Sequence, residues 1–506
     1  VLDVDFDRAP ANATSFAAIT GQTVTINQST ITGDRAKIVK SSEIFYDGAG
    51  DEFDFTLSST FTGKTIVAST QGILVADVNM EAGGIQVDQH GIGTITSAAA
   101  QHGLEQKGMM YLSDSSSPAA LTSAFVARGA VKSFAARTNF NRAFRYMGLT
   151  SFPTIDVSNG VDCGNAWEGY NGTTFPALNF ASATSLSSAW KPATSLTSVS
   201  AIQAPVCTNF ISAWNGNTAL ATIDPNANFG ESATNVNFNY AFLSSGLTAL
   251  PAGLDMSQGV TFYGAFQSCG SLATIGTGVL LGTASSGVNF TQAFLSSGLT
   301  ELPAGLDLSQ GDVFQSAFYG CSSLTTIGTG VKLGTASSSV NFTSAFYNCA
   351  ALTTLPANLD MSQGDSFYLA FYGCTSLTTI GTGVKLGTAS SSVNFTQAFL
   401  NCSSLVTLPS NLNLSSGTDF QSAFENCSSL VTFPAGAFDT MGTPLDYCFT
   451  NAWLATNALS GSSVDAILDS IDTSGQSAPT NLGPQITITY DDIGTAAPAY
   501  TTLASL

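Results

Sequence analysis

An aromatic residue returns every 23 to 28 residues over most of this chain of 506 residues, in most cases directly after an alanine. Self-similarity at so short a period is typical of a solenoid, in which each unit buries its apolar edge only against its neighbours. The thirteen aromatic anchors are Phe144, Trp167, Trp190, Trp214, Phe242, Phe266, Phe294, Phe318, Phe346, Phe371, Phe399, Phe424 and Phe449. The repeat therefore predicts an array that grows in one dimension, which a chain of this length needs because a single core does not extend so far.

The coils of this array alternate in length. From Phe242 onward the intervals between anchors are 24, 28, 24, 28, 25, 28, 25 and 25 residues. The short coils carry a turn such as residues 250–259, and the long coils carry a run rich in Gly, Ser and Thr such as residues 327–339. The unit of the repeat is therefore a pair of coils.

Apolar spacing within a coil predicts its local structure. Phe342, Phe346 and Cys349 follow the i, i+4, i+7 spacing of one helix face. The residues that follow them have the composition of short extended stretches. Each coil is predicted to contain a helical turn and one or two short strands, which stack into parallel ladders.

The chain divides into four segments. Residues 1–120 contain alternating, β-branched runs broken by Gly and Asn, which predict an antiparallel β-sandwich. Residues 121–138 are Ala-rich with helical spacing and predict a helical connector. Residues 139–455 form the solenoid of about 13 coils, and residues 456–506 form a C-terminal cap of one helix and one strand. The fold class is therefore mixed and β-rich, with an N-terminal sandwich, a solenoid and a helix/strand cap.

The cap is predicted from a helical pattern at Ser462 to Gly475 and a strand over residues 485–492. Ser462 is the predicted N-cap and Asp465 lies in the first turn. Such a segment covers the open end of a solenoid, where exposed strand edges would otherwise associate. The apolar face of the helix consists of Val464, Ile467, Leu468 and Ile471.

Most of the nine cysteines follow the repeat rather than a redox motif. Six of them, Cys269 and five in consecutive coils, lie three residues after their anchors, and other coils place Ser or Asn there. One small side chain per coil predicts a buried ladder, because free Cys behaves as a small hydrophobe. Disulfides between adjacent rungs stay open as an alternative, since neighbouring coils lie about 4.8 Å apart. The ladder is Cys321, Cys349, Cys374, Cys402 and Cys427.

A second repeated position carries charge. Asp307, Lys332, Asp360 and Lys385 occupy equivalent places in consecutive coils, each between two apolar residues. Stacked coils would align them in an alternating charge ladder whose exposed pairs contribute about 0.2–1 kcal/mol each. The larger role predicted for the ladder is register, because a slip by one coil would bring like charges together.

Charge excludes some functions. Charged residues make up only 9% of the chain, and 14 Lys and Arg oppose 34 Asp and Glu, giving a net charge of −20. Such a polyanion has no basic patch to displace phosphate counterions, so no nucleic-acid partner is expected. No stretch approaches twenty apolar residues, so no membrane insertion is expected. Low charge and abundant hydroxyl residues favour a location outside the cell.

The pattern AFxxCSSLTxL, seen at residues 316–327 and 422–433, resembles the BspA-like leucine-rich repeats of bacterial surface and phage proteins. The resemblance covers about residues 139–453 and implies a leucine-rich-repeat solenoid used for adhesion or recognition rather than catalysis. Departures from that family are Trp at three early anchors and a four-residue insertion in alternate coils.

Three shorter segments resemble phage or lectin-type proteins. Residues 462–475 are similar to the closing segment of such arrays in tailed-phage proteins, and residues 111–130 to a junction in phage structural proteins. Residues 41–55 are similar to a strand of laminin-G-like sandwiches. Together they imply a tailed-phage fibre, spike or decoration protein.

No catalytic residues are predicted, and the chain is expected not to be an enzyme. A glycan-cleaving solenoid needs a tight pair of carboxylates, whereas the outward acids here alternate with Lys on successive coils. His90 and His102, the only histidines, have no Ser or Cys nucleophile motif beside them.

Two repeated positions are candidate ligand-binding sites. Tyr319, Tyr347 and Tyr372 directly follow their anchors and are predicted to form an aromatic strip that packs on sugar rings or on a neighbouring turn. Paired threonines form a hydroxyl ladder, which the high β-propensity of threonine also explains without a ligand. The members chosen as candidates are Thr326, Thr354 and Thr379.

Calcium is the one cofactor left open. Asp3, Asp5 and Asp7 alternate along one predicted strand face, and Asp491 and Asp492 are adjacent. Carboxylates are ligands for hard cations, but neither group matches an EF-hand loop.

The sequence therefore predicts a non-enzymatic recognition or adhesion protein on a virion or cell surface. Its expected partners are a bacterial surface glycan or protein receptor and other virion or surface proteins. Self-assembly into a homo-oligomer is left open. The alternative is an architectural virion, surface-layer or filament component that packs through its repeats.

Overall fold

The computed structural model describes residues 157–442 and 448–475, the single residues Thr138, Phe140, Asn141, Thr150, Phe152 and Leu445, and the backbone of three N-terminal strands. The chain divides into two compact units, Val1–Ala233 and Thr234–Leu506. The predicted connector over residues 121–138, Thr138 apart, and the predicted strand over residues 485–492 lie outside the described residues.

The N-terminal strands form an antiparallel sheet in the order β1-β2-β3. They are β1 (Phe53–Ser58), β2 (Ala82–Val87) and β3 (Gly93–Ile95). The rest of residues 1–120, and with it the second layer of the predicted sandwich, lies outside the described residues.

The coils of unit 1 stack through parallel strands and three tryptophans. Strand β4 (Ser198–Val199) pairs with β6 (Thr222–Ile223), and β5 (Gln203–Ala204) pairs with β7 (Asn228–Phe229). Trp190 stacks on Trp167 at 5.3 Å between ring centroids and on Trp214 at 5.1 Å. Large rings at one position in successive coils thus form a continuous buried column.

Unit 2 is a parallel β-solenoid of about nine turns. Its strands are β8 (Val236–Asn237), β9 (Ala249–Leu250), β10 (Asp255–Met256), β11 (Gly259–Thr261), β12 (Thr274–Ile275), β13 (Leu280–Leu281), β14 (Val288–Asn289), β15 (Glu301–Leu302), β16 (Asp307–Leu308), β17 (Gly311–Val313), β18 (Thr326–Ile327), β19 (Lys332–Leu333), β20 (Val340–Asn341), β21 (Thr354–Leu355), β22 (Asp360–Met361), β23 (Gly364–Ser366), β24 (Thr379–Ile380), β25 (Lys385–Leu386), β26 (Val393–Asn394) and β27 (Gly417–Asp419).

These strands occupy three positions in the coil, and each position stacks into a parallel ladder. The first ladder is one eight-stranded sheet, β8-β11-β14-β17-β20-β23-β26-β27. The second consists of β9-β12 and β15-β18-β21-β24, and the third of β10-β13 and β16-β19-β22-β25. Every strand in these ladders pairs only with the preceding and following coils, so each coil depends on its neighbours.

Two columns of aromatic rings fill the core of unit 2. One passes through the anchors, as where Phe346 stacks on Phe318 at 5.1 Å and on Phe371 at 5.4 Å. The other passes through the residues four positions earlier, such as Phe342. Both Phe342 and Phe346 are fully buried.

The last coil corrects one predicted anchor. Phe449 continues the second column, because it stacks on Phe420 at 5.2 Å. Trp453 stacks on Phe424 and occupies the anchor position. The final interval between anchors therefore runs from Phe424 to Trp453. The prediction of Phe449 as an anchor was wrong, because the distance from Phe424 to Phe449 equals the preceding interval and the last coil is longer.

The helical turn predicted around each anchor is also wrong. Every second N–H of this segment donates to the next coil, as from Phe346 to the carbonyl of Ala370 at 2.8 Å. The N–H groups between them donate three residues back, as from Cys349 to Phe346 at 3.2 Å. Asn348 has a φ of 54°, as the third residue of a type II turn requires. The segment is thus a series of turns whose spacing mimics that of a helix face.

The cysteine ladder is buried and hydrogen-bonded. All nine cysteines are buried and free, so the alternative of disulfides between rungs is not realised. Each ladder thiol donates to the anchor carbonyl of the preceding coil, as from Cys349 Sγ to Phe318 at 3.1 Å. Thr456 makes the same bond to Phe424 in the last coil. The position therefore requires a small buried donor, which explains why Cys and Thr both occupy it.

We expect these thiols to be unreactive in the folded protein. Burial raises the pKa of Cys321 to about 11 and that of Cys374 to about 12, so very little nucleophilic thiolate exists near neutral pH. Titration with Ellman's reagent at pH 8 should detect no thiol before unfolding and all nine in guanidinium chloride. Fewer than nine after unfolding would reveal a disulfide, and rapid release from the folded chain would contradict the burial.

Helix α1 (Gly461–Thr473), the only α-helix among the described residues, closes unit 2. Its N-cap is Ser460, whose hydroxyl accepts from the N–H of Ser463, so the helix starts before the predicted cap at Ser462. Gly475 follows its end with a φ of 73°, as at many helix C-termini. The predicted apolar face is buried: Val464, Ile467, Leu468 and Ile471.

Two serines on the buried face of α1 bond to the last coil. Ser463 Oγ accepts from the N–H of Phe433 at 3.0 Å and donates to the carbonyl of Val431 at 3.1 Å. Ser470 Oγ accepts from the N–H of Phe438 at 2.8 Å. Helix α1 therefore supplies the hydrogen-bond partners that a further coil would otherwise provide.

Candidate functional site

Three coils of the second ladder, those of β18, β21 and β24, each carry two adjacent threonines, and the structure gives the two threonines different roles. The hydroxyl of the first donates to the preceding coil, as from Thr353 to the carbonyl of Thr325 at 3.1 Å and from Thr378 to Thr353 at 3.1 Å. These hydroxyls are therefore used within the fold.

The second threonine of each pair is available to a ligand. Thr326, Thr354 and Thr379 lie in register in β18, β21 and β24, and two isolated bridges extend the row through two more coils. Within the described residues, these hydroxyls bond to no neighbouring group. We call this row the hydroxyl column; it consists of Thr326, Thr354, Thr379, Thr407 and Thr432.

Thr407 and Thr432 were missed by the sequence analysis. Their coils place Val before the threonine instead of a second Thr, so the paired pattern is lost there. The spacing from the anchor would have revealed them, because it is the same in all five coils.

The structure brings Tyr319, Tyr347 and Tyr372 together as one stack. Their ring centroids lie 4.5 Å apart, and adjacent planes differ by only 2° and 6°. Burial, together with the adjacent phenols of Tyr372 and Tyr319, raises the pKa of Tyr347. Tyr347 is therefore neutral at physiological pH.

This stacking limits what the tyrosine strip can bind. Sugar rings pack on the open faces of aromatic side chains, but both faces of Tyr347 are covered by its neighbours. The strip offers ring edges and a row of phenol oxygens. Its geometry favours the structural role, in which successive turns pack on one another, over a sugar platform.

The charged residues of the third ladder form two separate pairs. Lys332 Nζ lies 2.9 Å from Asp307 Oδ2, and Lys385 Nζ lies 3.2 Å from Asp360 Oδ2. Partial burial of Asp307 alone would raise its pKa, but hydrogen bonds from Ser309 and Lys332 and the charge of Lys332 outweigh it, and the pKa is lowered. Each aspartate also accepts a backbone N–H two residues later in its own turn. These four charged side chains thus stabilise the stacking of adjacent coils.

The remaining site predictions stay predictions, because their residues lie outside the described part of the chain. Within the described part, no group of three or more His, Cys, Asp and Glu side chains is placed to hold a metal ion. The weak calcium candidates Asp3, Asp5 and Asp7 lie outside the described residues, as do Asp491, Asp492 and the two histidines. No helix in the described ranges has the length and apolar character needed to cross a membrane.

No protein-family model matches this chain, and no curated protein matches it either. Its architecture as a parallel β-solenoid of repeated coils therefore rests on its own geometry.

Proposed function

We propose that this protein is a non-enzymatic recognition protein of a virion or cell surface, and that the hydroxyl column contacts a neutral glycan. The observation that carries the proposal is a row of five threonines in consecutive coils, four of them exposed and Thr354 partly exposed, whose hydroxyls make no hydrogen bond within the described residues. Their spacing of about 4.8 Å per coil suits a ligand that lies along the stack and is contacted repeatedly.

The chemistry of the surface supports this ligand class. Neighbouring coils present hydroxyl donors and acceptors with little charge, which suits the hydroxyl groups of a sugar polymer. Each neutral hydrogen bond contributes only about 0.5–1.5 kcal/mol, so useful affinity requires several coils to act together. The resemblance of residues 139–453 to BspA-like leucine-rich repeats, a family of surface and phage proteins, supports the same proposal. A fibre, spike or decoration protein of a tailed phage is the form that we favour.

The test compares two matched triple variants of the full chain. Thr326→Val, Thr354→Val and Thr379→Val remove hydroxyls of the column, whereas Thr325→Val, Thr353→Val and Thr378→Val remove hydroxyls that bond within the fold. Binding to bacterial cells and to their extracted surface glycans is measured for each.

We expect the first variant to lose at least about tenfold in affinity, because three hydrogen bonds are removed. The second should keep its affinity. Equal binding by both variants would exclude the hydroxyl column as the contact surface. If the unaltered chain binds no cell surface or glycan, the recognition proposal fails.

An architectural role is the second proposal, and a patch beside the hydroxyl column favours it. Val406 and Val431 are each 39% exposed and lie in adjacent coils. Exposed apolar residues that neighbour one another are a common part of contacts between protein molecules. Concentration-dependent assembly measured by light scattering, abolished by Val406→Thr and Val431→Thr, would support self-packing.

A further inference from the structure

A second aromatic group in unit 2 has a geometry unlike that of the tyrosine strip. Tyr240 and Tyr263 lie in adjacent coils with their ring centroids 5.1 Å apart and their planes at 82°. In such an edge-to-face pair, the ring that contributes its edge keeps both faces clear of its partner. Both side chains are only partly buried. Neither ring of this pair is therefore sandwiched between two other rings, as the ring of Tyr347 is.

Gly264 fixes the position of the Tyr240 ring. A Cβ atom at Gly264 would lie 2.7 Å from Cδ1 and 2.8 Å from Cε1 of Tyr240. The ring thus rests directly on the backbone of the next coil, in space that only glycine leaves free. Support on one side by backbone and on another by Tyr263 holds the aromatic surface in place before any ligand arrives.

Two amide side chains lie beside the rings. Gln267 Oε1 would be 2.9 Å from the same Cβ position, so its amide lies next to the Tyr240 ring. Asn239 Oδ1 accepts the hydroxyl of Thr261 at 2.6 Å and the N–H of Tyr263 at 3.2 Å. Both bonds use the amide oxygen of partly buried Asn239, so neither of them uses the donor capacity of its amide nitrogen.

We propose that Tyr240, Tyr263, Gln267 and Asn239 form a binding subsite for one uncharged pyranose ring of a glycan. The inference rests on the proposed recognition function and deepens it by naming a second contact point. Aromatic faces pack on the C–H face of a sugar, while amides exchange hydrogen bonds with its hydroxyl groups. The absence of a charged side chain among these four residues selects a neutral sugar.

The subsite is tested by saturation-transfer NMR on the full chain with methyl β-d-glucopyranoside and methyl β-d-galactopyranoside. These probes differ in the C–H face they offer to an aromatic ring. We expect saturation at the ring C–H protons of at least one probe, and loss of most of that signal in Tyr240→Leu. Leu keeps apolar bulk at the site, and the circular dichroism spectrum checks that the fold is retained.

Two matched variants separate the subsite from the rest of the surface. Gly264→Ala keeps both rings but displaces Tyr240, so it should weaken the signal at least threefold. Tyr347→Phe changes the tyrosine strip and should leave the signal unchanged. Absence of saturation with both probes, or equal signal in Tyr240→Leu and the unaltered chain, would overturn the inference.

The proposed function can survive that failure. If the unaltered chain and Tyr240→Leu bind surface glycans equally well while the hydroxyl-column variant does not, the subsite is wrong and the recognition function stands. If the unaltered chain binds the monosaccharide probes but no cell surface, the subsite stands and recognition of cells fails.

Discussion

Replacement of Phe346 by alanine should lower the free energy of unfolding of unit 2 by about 3–5 kcal/mol. Phe346 is fully buried and stacks on a ring in each adjacent coil. Its removal loses the transfer free energy of the ring and leaves a cavity that two flanking coils, held by parallel strands, cannot close. Urea unfolding followed by circular dichroism measures the loss.

The position of Phe346 in the middle of the array leads to a second expected result. Because each coil is stabilised by its neighbours, a weak coil in the middle should divide one cooperative transition into two. Thr326→Ala, which alters an exposed side chain, is the control and should change the free energy by no more than about 0.5 kcal/mol. A loss of under about 1 kcal/mol for Phe346→Ala would contradict the stacked aromatic core.

Removal of the Ser463 and Ser470 hydroxyls should destabilise the last coil by about 1–3 kcal/mol for each serine. Ser463→Ala leaves the buried N–H of Phe433 without its acceptor, and Ser470→Ala does the same to Phe438. The helix itself gains from alanine, which has the higher helix propensity. Any net loss of stability in these variants therefore comes from the contact between α1 and the last coil.

Trp453 provides the measurement, because it stacks on Phe424 and Phe449 in the last coil. For this measurement, Trp167, Trp190 and Trp214 are first changed to Phe, the residue that most coils of unit 2 have at the anchor position. Trp453 is then the only tryptophan in the chain. Its fluorescence should change at lower urea in both serine variants. Ser462→Ala, on the exposed side of α1, should leave the midpoint unchanged, and an equal shift in that control would refute the capping role.

Much of unit 2 could be predicted from sequence because its repeat is short and regular. Burial of the anchors, parallel stacking and the alignment of Asp307 with Lys332 all follow from the spacing. The series of turns around each anchor could not be predicted, because a helix face and successive turns share the i, i+4, i+7 spacing of apolar residues. Residues that tolerate positive φ, such as Asn348 and Gly373, were the available signal.

The sites were less accessible to sequence reasoning than the fold. Tyrosines at one position in consecutive coils predict a strip, but only the 4.5 Å stacking shows that both ring faces of Tyr347 are covered. Tyr240 and Tyr263 occupy different positions in their coils, so they form no column in the sequence. Their meeting depends on Gly264, whose missing side chain admits the Tyr240 ring.

The pairing of charges also determines how a chain of this kind can change length. Asp307 pairs with Lys332 and Asp360 with Lys385, so two short coils each share an ion pair with the long coil that follows. Deletion of the Lys332 coil would bring Asp307 opposite Asp360, whereas deletion of the Lys332 and Asp360 coils together would bring Asp307 opposite Lys385. In this region the array can therefore change length by two coils at a time without placing like charges side by side.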